Sequence, residues 1–416
     1  MSTDPGMNET GHREGAARRI GHAILAFLTR PFTVAIAVFA IVCLRGMDAL
    51  VHPHFWAEDG TIIWIQNYWF GAGALITPYA GYLVLAPRLL ASLLSLSPYL
   101  YHPILFSIGG ALLTSWTALT IATSIGNRNL GALLGIALVL TRHDEGNVFM
   151  NLVNVQWLMA CALPVILASR APESNGWRGN QLVFVGLAAL TGPFGVFLLP
   201  LWLIKLVPSR WSYPVLTRFD RCIGAVGLAG SLIQLSVMLS TGISQAWTLS
   251  FLQVPTIWLR VFSDCFGVNR SPILASLTLV AIVMTLRMPR YRLLRSVSLY
   301  LTAVIAATTA LKFGDRSGEA LVLATHGPRY FFIPAVMLAG IVLSVFFDEA
   351  RRSERYIAVT LSVLLVVGTF QGGFVRPARD LVFSSWSSAV ERIGRERVTV
   401  RINPNYFPPL VIPPRP

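Results

Sequence analysis

The chain has 416 residues, 54% of them hydrophobic and only 12% charged, about half the charged share of an ordinary soluble protein. A mean hydropathy of +0.62, with apolar runs near the roughly 20 residues that cross a bilayer recurring from Phe32 to Phe370, excludes a soluble globular domain. The net charge of +14 would suggest a nucleic-acid partner in a soluble chain; here the basic residues sit in short clusters between apolar runs, as in cytoplasmic loops, and no nucleic acid is expected.

The first 30 residues are polar and carry Arg13, Arg18, Arg19 and Arg30 ahead of the first apolar run. No small-residue cleavage site follows that run, so it reads as a retained membrane helix behind a cytoplasmic tail. Further apolar stretches fall at 83–97, 103–125, 130–141, 156–169, 181–191, 194–206, 222–241, 272–288, 296–312, 329–347 and 356–370. Arginine clusters at Arg170 and Arg178, at Arg210, Arg218 and Arg221, at Arg287, Arg290, Arg292 and Arg295, and at Arg351, Arg352 and Arg355 mark cytoplasmic loops. Segments 51–82, 143–154, 242–271 and 313–328, with the tail after Gln371, then face outside. Stretch 83–97 is short and holds Arg88, so it dips in from the outer face or pairs with its neighbour. The expectation is an all-α polytopic membrane protein of about 10–11 transmembrane helices, divided into a cytoplasmic tail (1–30), a membrane domain (31–370) and an extracytoplasmic tail (371–416).

The outer loop 51–82 has no Lys or Arg. After Gly60 the stretch TIIWIQNYWFGAG sets Ile62, Ile65 and Trp69 beside Ile63 and Phe70, which predicts an amphipathic helix lying in the headgroup layer. In the tail, Val398, Val400 and Ile402 alternate with polar residues, a short strand pattern. The four cysteines lack metal-ligand spacing, and no Gly-rich phosphate loop occurs, so neither a metal nor a cofactor is expected.

Four polar constellations can carry chemistry. In WAEDG, Glu58 and Asp59 follow the first membrane helix, and either is a candidate general base; both also suit a helix N-terminus. In PYAGYLVLAPRLL, Pro78 and Gly81 make a turn that sets the Tyr79 and Tyr82 hydroxyls at the outer end of the short segment. Arg88, deeper, can meet a lipid phosphate, snorkel, or pair with Asp48. The stretch 142–157 is rich in polar groups, among them His143, Glu145, Asn151, Asn154 and Gln156. If helical, Asn147, Asn151 and Asn154 share a face, and amides with a carboxylate suit sugar hydroxyls; an ordinary solvated loop is the alternative. Adjacent His, Asp and Glu side chains rarely converge on one metal. Finally, in GPRYFFIPAVML, Arg329 stands at the outer end of a helix between His326 and Tyr330, where a guanidinium either grips phosphate at two points or anchors the interface.

The order of these features across residues 31–345 resembles the GT-C superfamily of membrane glycosyltransferases, of the protein mannosyltransferase or aminoarabinose transferase type. The matching pieces are AEDG at 57–60, PYAGYL at 78–83, HDEGN at 143–147 and RYFFIP at 329–334. The family's acidic motif is commonly Asp then Glu, reversed here, so the resemblance leaves open which acid is the base. The tail lacks a WWDYG-like segment, which argues against an oligosaccharyltransferase subtype. The resemblance implies a polyprenyl-phosphate-sugar donor whose phosphate is held by Arg329 and Arg88 with His326 and Tyr330. It implies a glycan, lipid or protein acceptor deprotonated by Asp59 or Glu58, and substrate contacts from Tyr79, Tyr82, His143, Glu145, Asn151, Asn154 and Gln156. The setting it implies is the bacterial inner membrane and its lipids, without a cofactor. A transporter or flippase of a lipid-linked or polar solute is the competing reading. Transporters often show related broken helices in two halves; Gly192–Pro193 interrupts one run, with no counterpart in the second half of the sequence.

Overall fold

The computed structural model describes residues 26–140, 148–208, 215–242, 279–280, 282–313, 329–348, 356, 359–360, 362–363, 386–403 and 408–414. They are mostly helical. Helices α1 (Pro31–Arg45) and α2 (Met47–Val51) lead into the first loop, which holds a π-helix (Asp59–Trp64), α3 (Ile65–Phe70) and a 3-10 turn (Gly71–Ile76). There follow α4 (Leu85–Leu94), α5 (His102–Ser124), α6 (Arg128–Leu140), α7 (Val155–Leu167) and α8 (Asn175–Ala189). A broken stretch, α9 (Phe194–Phe197) and α10 (Leu199–Trp202), precedes α11 (Arg218–Ser240), α12 (Arg292–Phe313) and α13 (Arg329–Phe346). The tail contributes α14 (Trp386–Val390) and an antiparallel pair, β1 (Val398–Val400) with β2 (Leu410–Ile412). Segments Tyr99–Ser124, Arg218–Ser240, Arg292–Leu311 and Arg329–Phe346 are long and apolar enough to cross a membrane.

Side-chain contacts show how the chain shuttles between two ends of the bundle. At one end, Trp64 bonds His102 at the start of α5, Thr241 after α11 bonds the Gly81 carbonyl, and Arg329 at the start of α13 reaches Glu58. At the other end, Arg128 bonds the Thr29 carbonyl, Lys205 pairs with Asp220, and Arg295 pairs with Asp348. Helix α4 begins beside Thr191 and leads to Ser97 and Tyr99, which bond His102 and Trp386. Both its ends lie at the first-loop end of the bundle. Ten residues span only about 15 Å, about half the roughly 30 Å of a bilayer's hydrocarbon core.

Close packing comes from small residues. A Cβ on Gly131 would sit 2.7 Å from the Ala122 carbonyl oxygen, and one on Gly135 3.0 Å from that of Ala118, so α5 and α6 meet backbone to backbone. The hydroxyls of Thr114, Ser115, Thr117 and Thr120 donate to carbonyls one turn back within α5, which satisfies them without water. At the centre lie α7, every residue of which is buried, and α13, buried from Tyr330 to Val342. Arg295 departs from the free loop cation that its cluster suggested. Fully buried, it donates to Asp348 at 2.7 Å, to Ser344 and to the Thr285 and Met288 carbonyls, whereas Arg287, Arg290 and Arg292 are exposed.

A second, smaller core joins the first loop to the tail. Phe55, Ile63, Trp64, Phe106, Leu152 and Val153 pack with Trp386, Val398, Val400, Ile402, Leu410 and Ile412. The strand pattern at 398–402 holds, with its apolar side on this core. The loop helix expected to lie flat in headgroups is a π-helix, a short α-helix and a 3-10 turn in succession. Ile63 and Trp64 turn inward, while Trp69, Phe70 and Ile76 stay exposed. Trp386 is the keystone of this core: its ring meets Phe55 at 5.0 Å and Trp64 at 5.5 Å edge-on, and its N–H donates to the Tyr99 carbonyl. Trp386→Ala is expected to destabilise the protein by about 3–5 kcal/mol and to open the first loop to protease. Thermal unfolding and limited proteolysis in detergent check both.

Candidate functional site

The acidic motif is held by the tail's backbone. Asn403 donates its N–H to the Phe55 carbonyl at 3.2 Å, and Ala57 donates to the Asn403 carbonyl at 2.5 Å, gripping Trp56 between them. Ala57 takes a φ of +28°, a backbone that residues with a Cβ rarely adopt and that persists where surrounding contacts over-determine it. Past this turn the two neighbouring acids diverge.

Asp59 points inward and is 1% exposed. Its carboxylate oxygens accept the Leu152 and Val153 N–H groups, each at 2.8 Å, fixing the turn that enters α7. Burial pushes its pKa up to about 7; the two N–H groups pull against that, and the charge of Glu58 adds to it. Glu58 points the other way. Its Oε1 accepts the Tyr79 hydroxyl at 3.2 Å and lies 3.5 Å from Arg329 Nη1. Burial and the Glu58 charge raise the Tyr79 pKa, and burial raises that of Tyr82 to about 12, so both phenols stay protonated donors at neutral pH.

A cavity of about 440 Å³ lies beside this ion pair. Its polar lining includes Tyr79, Tyr82, Asn154, Gln156, Arg329 and Tyr330, and its apolar lining includes Trp157, Phe194 and Phe197. Thr308 and Thr309 of α12 and Met238 of α11 line it as well. The wall is irregular backbone. Val84 pairs with Thr191 in an antiparallel bridge, the Gly192 N–H donates to the Leu83 carbonyl, and the Gln234 side chain bonds the Leu83 N–H and the Leu83 and Gly192 carbonyls. Non-helical backbone inside a membrane protein needs such internal partners. Gly192 has φ +85°, and a Cβ there would lie 2.4 Å from Gln156 Oε1; only glycine leaves that amide its room.

Six of the residues singled out from sequence thus meet at one cavity, with Glu58 beside them. Others do not. Asp59, an equal candidate for the base, is turned away from the cavity with both oxygens occupied, because consecutive residues entering the π-helix point about 100° apart. Asn151 is not on a helical face with Asn154: α7 begins only at Val155, and the Asn151 amide oxygen instead accepts the Asn154 N–H, its Nδ2 donating to the Phe149 carbonyl. Arg88 is 1% exposed and donates to Gln66 at 2.6 Å, away from the lining, so neither snorkelling nor a place beside Arg329 describes it. His143, Glu145 and His326, like Asn147, lie outside the described residues. Gly192 and Gln234 carried no chemistry signal in the sequence; the Gly192–Pro193 break was the one hint of the irregular wall. Among the described residues no group of His, Cys, Asp and Glu is placed to hold a metal. Comparison with family models, curated proteins and solved structures finds no match to this chain.

Asp59→Asn leaves one amide oxygen for two N–H donors and sets an NH₂ group against the other. The expected cost is about 1–3 kcal/mol of stability, read by thermal unfolding. The sign of the pH effect follows from the raised pKa: this group's favourable contribution is complete below its ordinary value near 3.8 and is lost as pH rises through about 7. The variant should lack that part of the pH dependence.

Proposed function

We propose that the protein is a membrane glycosyltransferase that moves a sugar from a polyprenyl-phosphate donor to a glycan, lipid or protein acceptor at the extracytoplasmic face of a bacterial inner membrane. The observation that carries this reading is the Glu58–Arg329 pair, 3.5 Å apart at the mouth of a 440 Å³ cavity with mixed polar and apolar walls. The supporting topology has about ten or eleven crossings, with the first loop and the tail outside and the arginine clusters at the opposite, cytoplasmic end. Surrounding lipids contact the exposed Trp69, Phe70 and Ile76.

In this mechanism the donor phosphate occupies the Arg329 fork, which has five N–H groups to divide between phosphate and Glu58. Drawing Arg329 toward the phosphate loosens its hold on Glu58. The acceptor hydroxyl attacks the anomeric carbon, forming the new C–O bond as the bond from that carbon to the phosphate oxygen breaks. The electron pair leaves with the polyprenyl phosphate, where Arg329 stabilises the growing charge, and the acceptor's proton passes to Glu58. Tyr79 orients the Glu58 carboxylate, and Asp59 positions the whole motif without touching substrate.

The test is transfer from a labelled polyprenyl-phosphate sugar by the purified chain. Glu58→Gln should lower turnover by about 10²–10⁴-fold, and Arg329→Lys, which keeps the charge but loses the fork, should also lower it. Asp59→Asn should lose activity only in proportion to the folded fraction. Full turnover by the Glu58 variant would reject the base assignment. Passage of the labelled lipid without sugar release, indifferent to Glu58→Gln, would favour a flippase.

A further inference from the structure

We infer that the Tyr82 hydroxyl grips the lipid-linked phosphate together with Arg329, through a hydrogen bond that strengthens as polyprenyl phosphate departs. This rests on the glycosyl-transfer reading and adds a substrate-touching residue to it.

Tyr79 and Tyr82 flank a tight reversal of the chain. Each donates its N–H to the other's carbonyl, at 2.8 and 3.0 Å, and between them Ala80 and Gly81 have φ of +49° and +86°. This is the two-residue hairpin turn in which both central residues are left-handed. It sets the flanking residues opposite each other with their side chains on one face, and the two rings meet edge-on at 5.9 Å. A hydrogen bond from Thr241 to the Gly81 carbonyl ties the turn to the end of α11, and the whole turn lines the cavity.

The two phenols have different partners. Tyr79 is committed to the acid, donating to Glu58 Oε1 at 3.2 Å. The Tyr82 hydroxyl is instead hydrogen-bonded by the Gln156 amide, which lowers its pKa against the burial that raises it, as a donor onto the phenol oxygen does. Gln156 Nε2 has a second N–H for the Val153 carbonyl. With its oxygen accepting from the amide, Tyr82 keeps its own proton to give. The charges of Arg329 and Glu58 both act on Tyr82, which puts this donor in the neighbourhood of the ion pair. An oxyanion that reaches the Arg329 fork meets the Tyr82 proton beside it.

The match is to the leaving group. In the bound lipid the phosphate is a diester with a single negative charge; the electron pair of the broken bond brings it toward a double one. A hydrogen bond to an oxygen that gains charge grows stronger, so Tyr82 stabilises the departing phosphate more than the bound substrate. The phenol keeps its proton throughout. Its pKa is raised to about 12, whereas a phosphate monoester's second pKa is about 6. The acceptor's proton passes to Glu58.

The experiment measures binding of two probes to the full chain in nanodiscs at about pH 8, above that second pKa. Decyl phosphate is then doubly charged like the leaving group; decyl methyl phosphate is a singly charged diester like the bound lipid. Tyr82→Phe should weaken decyl phosphate by about 10- to 100-fold and the diester by clearly less, a split that a merely structural role for the ring would not produce. Gln156→Leu, which removes the amide behind the phenol, should weaken decyl phosphate too and add little once Tyr82→Phe is present. Equal losses on the two probes, unchanged affinity of Tyr82→Phe for decyl phosphate, or full additivity of the two variants would each overturn the assignment. If neither probe binds wild type, or Arg329→Gln binds both as wild type does, the glycosyl-transfer reading itself falls. Should Tyr82→Phe not fold, Gln156→Leu on the same two probes decides by the same split.

Discussion

The constraint on which the site depends is the pair of hydrogen bonds from the Leu152 and Val153 N–H groups to the Asp59 carboxylate. It joins residues some ninety positions apart in sequence, tying the first loop to the turn that opens α7. On one side of the joint the chain places Glu58; on the other it places Asn154 and Gln156. A carboxylate is suited to this task because it offers two acceptors in one plane and no donor. The cost is desolvation of a charge, visible in the carboxyl's upward shift, and the two N–H bonds offset part of it. The most buried acid of the motif therefore builds the site, and its less buried neighbour pairs with Arg329 beside the cavity.

That division follows from helical backbone at Glu58, which turns successive side chains about 100° apart. The left-handed turn at Ala57 aims the pair, and that turn is held by hydrogen bonds to Asn403. The tail is thus part of the wall behind the acids, and the shared core of Phe55, Trp64, Trp386 and the two short strands keeps it there. A two-stranded pair is marginal alone; buried against the first loop it becomes the loop's support. The dependence is mutual, since the loop's π-helix has Ile63 and Trp64 to bury and finds that cover in the tail as well as in α5.

How much of this was legible in the sequence follows from what each signal depends on. Composition and apolar spacing gave the helical bundle and its alternation, because burial in lipid acts on every residue of a segment. The short 83–97 stretch was marked by its length and by Arg88. The acids, the two tyrosines, Asn154, Gln156 and Arg329 stood out because polar groups at the ends of apolar runs are few, and all of them but Asp59 converge on the cavity or the ion pair beside it. Which acid lies beside the cavity was not readable: it depends on how the segment around Ala57 is aimed by hydrogen bonds to Asn403, far along the chain. The shared face of Asn151 and Asn154 was conditional on a helix. The helix begins only at Val155, and in the turn before it the Asn151 amide accepts the Asn154 N–H instead. Arg88, buried against Gln66, lacks any sequence mark that separates it from an interfacial arginine.

The irregular wall shows why a polar chamber at the end of an apolar bundle takes this form. A regular helix spends its backbone groups on itself and offers a cavity only side chains. Where the chain breaks at Leu83–Val84 and Thr191–Gly192, backbone N–H and carbonyl groups must find partners, and lipid supplies none. Pairing the two breaks with each other satisfies part of that demand, and Gln234, reaching from the middle of α11, satisfies the remainder with three hydrogen bonds. Because the same break brings Gly192 against Gln156 without a Cβ, the device that closes the wall also lets the amide pack directly against it. Closure of the wall and packing of the Gln156 amide are thus one solution, built from a glycine whose significance is invisible until the residue opposite it is known.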